Sequence, residues 1–131
     1  NGSGFRQAGC LRIMVNVMNT DQIKDWHAHV YFDAASRDAA WALRERIEKT
    51  FPVEMGRFHE KPVGPHPRFS YQVALKNEQF LPLMSWLTLS RGELTVFIHP
   101  NTGHDLEDHR DRAIWMGQQV PLVLDIFTKK D

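Results

Sequence analysis

From Trp26 to Phe32 the chain reads WHAHVYF, with apolar and polar or aromatic side chains at alternate positions. Successive side chains of a strand point to opposite faces, so Ala28, Val30 and Phe32 share one side and His27, His29 and Tyr31 the other. The period then changes. Ala34 to Thr50 (AASRDAAWALRERIEKT) predicts a helix, with Ser36 available as N-cap and Ala40, Leu43 and Ile47, joined by Trp41, at helical spacing. Pro52 marks its end. Val53 to His59 reads as a second strand, the Pro- and Gly-rich Lys61 to Arg68 as a loop, and the alternating Phe69 to Leu75 as a third strand. A second helix runs from Asn77 to Ser90 with Phe80, Leu83, Met84 and Leu87 as its buried stripe, and Arg91-Gly92 ends it. Glu93 to Pro100, rich in β-branched and aromatic residues, makes a fourth strand.

The order βαββαβ is that of the ferredoxin-like α+β fold, an antiparallel sheet with both helices on one face. A C-terminal extension follows. Asn101 to Arg112 (NTGHDLEDHRDR) reads as a polar loop, Ala113 to Gly117 as a short helix, and VPLVLDIF as a closing apolar segment. At the other end, NGSGFRQAG has the character of a tag remnant or unstructured leader, and Leu11 to Met18 reads as a short strand or an upstream extension. Residues 1–20 are therefore set apart as a leader, and residues 21–131 are expected to form a single domain.

Composition narrows the function. Sixteen basic and sixteen acidic residues cancel, which gives no electrostatic case for nucleic acid or an anionic membrane as partner. The apolar runs fall short of the roughly 20 residues that span a bilayer, so a soluble protein is expected. Cys10 is the only cysteine, so no intramolecular disulfide can form, and a cytoplasmic setting fits.

With helices on one face only, parity assigns the other face to His27, His29 and Tyr31, to Thr95, Phe97 and His99, and to Arg57 and His59. The first and fourth strands are antiparallel neighbours in this fold, which brings His27 and His29 beside His99. Imidazoles at strand spacings of about 4.8 and 6.5–7 Å can converge on one ion. His59 and His66 are expected nearer the opposite end. A lone HxH is most often a pair of solvated histidines, His66 and His104 stand in loops, Trp26, Trp41 and Trp86 suit packing, and Arg57 and Arg68 suit an ordinary charged surface. Four histidines on one face tilt the balance toward metal or acid–base chemistry. Tyr31 and Phe97 on an uncovered face would favour pairing of two sheets in a homodimer.

Taken together, WHAHVYF, GRFHEKPVGPHP, RGELTVFIHPNTG and DHRDRAIWMG resemble the DOPA 4,5-dioxygenase family, an extradiol ring-cleaving group. The resemblance spans Trp26 to Gly117. It implies a ferredoxin-like fold, dimers, and a non-haem Fe(II) that uses O₂ to cleave a catechol beside its hydroxyls; zinc or nickel could occupy the site in purified protein. On the matching motifs it implies His29 and His99 as metal ligands with His27 as the third, and His59 as ligand or acid–base group. It further implies His109, oriented by Asp108, as base or as a group supporting the metal ligands, His66 at the substrate entrance, and Tyr31 in contact with substrate or in a structural role. Arg57, Lys61 and Arg68 could pair with an anionic substrate tail. The usual facial triad holds a carboxylate, which this face lacks. A loop acid folds in, the site is made of three histidines, or the ligand set differs. Two other readings stand beside this one: a non-catalytic ferredoxin-like dimer that binds an aromatic ligand or metal, and a metal-free enzyme using histidine acid–base chemistry.

Overall fold

The strand carrying the HxH pair lies at the centre of the sheet in the computed structural model, which describes residues 19–128. Residues 1–18 of the expected leader, which include Cys10 and Leu11 to Met18, lie outside the described residues, while Thr20 already belongs to a 3-10 turn, Thr20–Gln22. Strand β1 (Asp25–Phe32) is followed by helix α1 (Arg37–Thr50), β2 (Glu54–Met55), β3 (Phe69–Leu75), helix α2 (Phe80–Ser90) and β4 (Thr95–Asn101). Beyond them come α3 (Asp105–Arg110), β5 (Ile114–Met116) and α4 (Asp125–Thr128). The sheet order is β2-β3-β1-β4-β5 with every pairing antiparallel, so the first four strands carry the ferredoxin-like order and β5 extends the β4 edge. None of the described helices is long and apolar enough to cross a membrane.

Parity places the core where the pattern predicts. Ala28, Val30 and Phe32 of β1 pack with Val73, Val96 and Ile98 under Ala40, Leu43 and Ile47 of α1 and Leu83, Met84 and Leu87 of α2. Burying an aliphatic side chain of this size contributes about 1.5–3 kcal/mol. Helix α1 begins three residues later than the Ala34 expectation because Ser36, at the N-cap position, turns back: its amide and hydroxyl both donate to the Asp33 carboxylate, at 2.9 and 2.8 Å. Trp41 is largely exposed and meets Phe58 edge-on instead of joining the stripe.

Four local expectations change. The second strand is shorter than Val53 to His59, and it bulges: Met55 pairs with Val73 and His59 with Ser70, so four steps on one side match three on the other. The extra residue lies at Arg57-Phe58, letting Phe58 stack on Phe32 in the core while His59 joins the opposite face. Ala113 to Gly117 is a strand rather than a helix, since Ile114, Trp115 and Met116 pair with Ile98, Phe97 and Val96 along the otherwise open edge of β4. The polar Asn101 to Arg112 segment contains the short helix α3. Finally, the part of the opposite face around Tyr31 and Phe97 is covered by the chain itself. Val120 packs on Tyr31 and Phe97, and Val123 N–H donates to the Pro65 carbonyl at 2.9 Å, tying the C-terminal segment to the Lys61–Arg68 loop. Tyr31 and Phe97 are consequently buried, and they offer no exposed aromatic surface as a reason for sheets to pair.

Candidate metal centre

Strands β1 and β4 run in register so that His27 faces His99 and His29 faces Phe97, all directed away from the helices. Side chains of β1 and β4 thereby deliver three imidazoles to one point: a ligand nitrogen from each of His27, His29 and His99 falls within 4.8 Å of the others. No carboxylate joins this group among the described residues. The Nε2 atoms of His29 and His99 are 3.1 Å apart. That separation suits a shared proton or a shared ion, since two nitrogens about 2.1 Å from one cation and this far apart subtend roughly 95°, near the angle between adjacent octahedral positions.

The tautomer of His99 is set by its surroundings. Its Nδ1 lies 2.9 Å from the Pro100 carbonyl, which can only accept, so Nδ1–H donates and Nε2 presents a lone pair toward His29. Burial and then the neighbouring His109 push the His99 pKa down to about 3. His29 is held well below its ordinary value by burial and by like charge from His66, His99, His27 and His109. His27 is also lowered, by burial that outweighs the pull of Asp25. All three favour the neutral form that ligates a metal. Three neutral imidazoles fit a borderline divalent ion such as Fe(II), Zn(II) or Ni(II).

Two further imidazoles flank the three. His66, expected in a solvated loop toward the far end, is instead buried, with its ring centroid 4.2 Å from that of His29 and Nδ1 2.7 Å from the Tyr31 hydroxyl. The GPHP turn, bridged from Val63 to His66, folds the loop over the sheet. Burial, then His109, lowers the His66 pKa to about 4, while burial raises that of Tyr31 well above its ordinary value. His109 lies over His99 with ring centroids 4.0 Å apart, and Phe127 covers its other side at 4.4 Å.

Asp108 does not orient His109, contrary to expectation. Adjacent residues of a helix diverge by about 100°. The wholly buried Asp108 carboxylate instead accepts from Thr102 N–H, Thr102 Oγ1–H and Arg112 Nη1–H, each at 2.8 Å. Burial alone would raise its pKa, but these bonds hold it below the usual carboxylate value. His109 is oriented by the Asp105 carbonyl, to which Nδ1–H donates at 2.7 Å, leaving Nε2 as an acceptor.

The remaining predicted residues are spread out. His59 is on the same face beside Ser70, the cross-strand neighbour of Tyr31. Arg57, on the bulge, is exposed, and so is Arg68, which lines a pocket of about 630 Å³ with Tyr31, Thr95 and Gln118. Gln72, not singled out from sequence, stands directly across from His29 on β3. Its signal was present in FSYQVAL, where Gln72 is the one long polar side chain in the alternation.

Comparison with known proteins bears on this geometry. Residues 26–126 match the Dopa 4,5-dioxygenase family. A DOPA 4,5-dioxygenase of Amanita muscaria is 37% identical over 112 residues, covering 79% of this chain and 49% of the relative. An uncharacterised 21.2 kDa protein of Botryotinia fuckeliana is 41% identical over 113 residues, covering 77% of this chain and 62% of that one. The chain thus spans between about half and two-thirds of the length of these curated relatives. The crystal structure of a candidate dioxygenase from Nostoc punctiforme superposes with a TM-score of 0.83 at 43% identity, over 86% of this chain and 96% of that one.

Proposed function

Because the chain belongs to the Dopa 4,5-dioxygenase family, we propose that it is a non-haem Fe(II)-dependent extradiol dioxygenase that cleaves a small catechol with O₂, and that His27, His29 and His99 hold the iron. The observation that carries this reading is the convergence of three neutral imidazoles on one point of the sheet, with His29 and His99 Nε2 atoms 3.1 Å apart. Family membership and the dioxygenase description of the Nostoc neighbour support oxygen chemistry at that point. Iron(II) held by three protein ligands keeps positions free at which catechol oxygens and O₂ can meet.

The chain's own groups supply the rest. The bond to Pro100 fixes the Nδ1 proton of neutral His99 so that Nε2 is bare, and the bond to Asp105 fixes the Nδ1 proton of His109 and turns its Nε2 away from the helix backbone. His109 is the base we assign to the catechol proton, since an imidazole positioned through Nδ1 is suited to that transfer at Nε2. Tyr31 and His66 brace one another beside His29 and limit rotation of its ring. Val120, Phe97 and Phe127 exclude water from the side of β4 and β5. His59 is a second acid–base candidate at the margin, and Arg57 and Arg68 are the cations available to an anionic substrate tail.

O₂ uptake by Fe(II)-reconstituted protein against a panel of catechols, beside His29→Ala, tests the reading. Uptake with a new visible absorbance that is lost in the variant supports it. Metal binding without uptake for any catechol would favour a non-catalytic binding module.

A further inference from the structure

The face that carries the histidines is closed on one side and accessible on the other. Tyr31 and Phe97 are buried against Val120, and His99 is buried against His109, which Phe127 covers in turn. Toward β3, His27, Gln72, Ala74 and Gly56 keep partial exposure. The β3 side therefore offers a ligand an approach to the three imidazoles that displaces no packed aromatic ring.

Gln72 stands on that path. It is the register partner of His29, and directly opposed residues on one face have Cβ atoms about 4.5–5.5 Å apart. Gln72 is partly buried and its carboxamide has no hydrogen-bond partner among the described residues, yet its polar atoms are not sealed from solvent, so its two donors and its acceptor stay open to water or to a ligand. Its neighbour across from β3, Gly56, carries no side chain to lie over it. Gly56 donates its N–H to the Gln72 carbonyl at 2.7 Å, and a Cβ at Gly56 would stand 3.3 Å from Gln72 Cβ.

We infer that Gln72 is a specificity-determining residue that reads the paired oxygens of an ortho-dihydroxy aromatic ring lying over β3. This assignment rests on the dioxygenase reading above. A carboxamide presents N–H and C=O in one plane, which matches a catechol with one ionised oxygen that accepts and one hydroxyl that donates. A phenol, with a single oxygen, uses only half of it.

The test is anaerobic titration of Zn(II)-loaded wild type, Gln72→Leu and Gln72→Glu with catechol and with phenol, alongside metal stoichiometry. Gln72→Leu is expected to keep its metal and bind catechol roughly thirtyfold more weakly, the scale of two lost hydrogen bonds, with phenol, which loses one, weakened about fivefold. Gln72→Glu, nearly isosteric, is expected to bind catechol more weakly still, since it has no N–H to give and adds charge beside an ionised oxygen. Should the leucine variant fail to fold, the glutamate variant decides by the same comparison. Unchanged catechol affinity, or an equal loss for catechol and phenol, would overturn the role of Gln72 and leave the proposed reaction standing. Absence of catechol binding by metal-loaded wild type would overturn both.

Discussion

His29 and His99, seventy positions apart in the chain, approach within 3.1 Å through their Nε2 atoms. The approach depends on β1 and β4 being adjacent and in register, and it sets two nitrogen atoms where they can share a proton or, with both lone pairs turned inward, an ion. His27, opposite His99, completes the group.

Removal of either ring should therefore remove the metal. His29→Ala and His99→Ala are each expected to retain far less than stoichiometric divalent metal after dialysis, by elemental analysis, while circular dichroism stays that of the folded protein. Metal at 100 times its dissociation constant adds about 2.7 kcal/mol to the stability of a binding fold. The thermal midpoint of wild type should rise accordingly on adding metal, and those of the variants should not. Equal shifts in wild type and both variants would sink the three-histidine assignment.

The lowered histidines make the metal-free protein acid-sensitive. His27, His29, His66 and His99 all titrate below 6.5 in the folded state, His66 at about 4 and His99 at about 3, whereas in the unfolded chain they return to ordinary values. Below pH 6.5 the unfolded chain binds more protons, so stability falls as pH drops from about 6.5 toward the folded values. Denaturant unfolding of metal-free protein at pH 7.5 and 5 should show the lower midpoint at pH 5. A higher midpoint at pH 5 would mean these rings are not buried neutral.

Asp108 should matter to stability far more than an average surface acid. Asp108→Ala leaves Thr102 N–H, Thr102 Oγ1–H and Arg112 without their carboxylate, and unpairing part-buried donors of this kind costs about 1–3 kcal/mol. A loss below about 1 kcal/mol in urea unfolding would show that water replaces the carboxylate with little penalty.

Gly117, which follows β5, has φ +88°, and a Cβ there would come 3.1 Å from Arg91 Nη1 and 3.3 Å from Thr95 Oγ1. Gly117→Ala is expected to cost about 1–2 kcal/mol for the left-handed backbone alone. The thermal midpoint measures it. An unchanged midpoint would indicate that the segment leading to Val120 is re-routed without penalty.

What could be read from sequence followed what repeats along the chain. The alternation in WHAHVYF and TVFIH fixed which side of each strand faces the helices, and with the strand order it brought His27, His29 and His99 together. Features that depend on a partner strand were not legible. The bulge at Arg57-Phe58 is a mismatch between two strands, visible only in the pairing of His59 with Ser70. Three residues of β5 are too few to show a period, and the free edge of β4 selected their conformation. His66 lies in a turn without periodicity, so its burial over His29 left no trace in the pattern. Asp108 and His109 are neighbours in sequence that α3 aims at different partners.

The register of β1 against β4 ties correct folding to the chemistry. A slip of one residue would turn His27, His29 and Tyr31 into the space beneath the helices and expose Ala28, Val30 and Phe32, because the side-chain period of a strand is two. A mispaired strand would forfeit its apolar packing in the same move that scattered the imidazoles. Proofreading of the imidazole cluster is in this way delegated to the hydrophobic effect: a chain that has sealed its interior has already aligned its histidines.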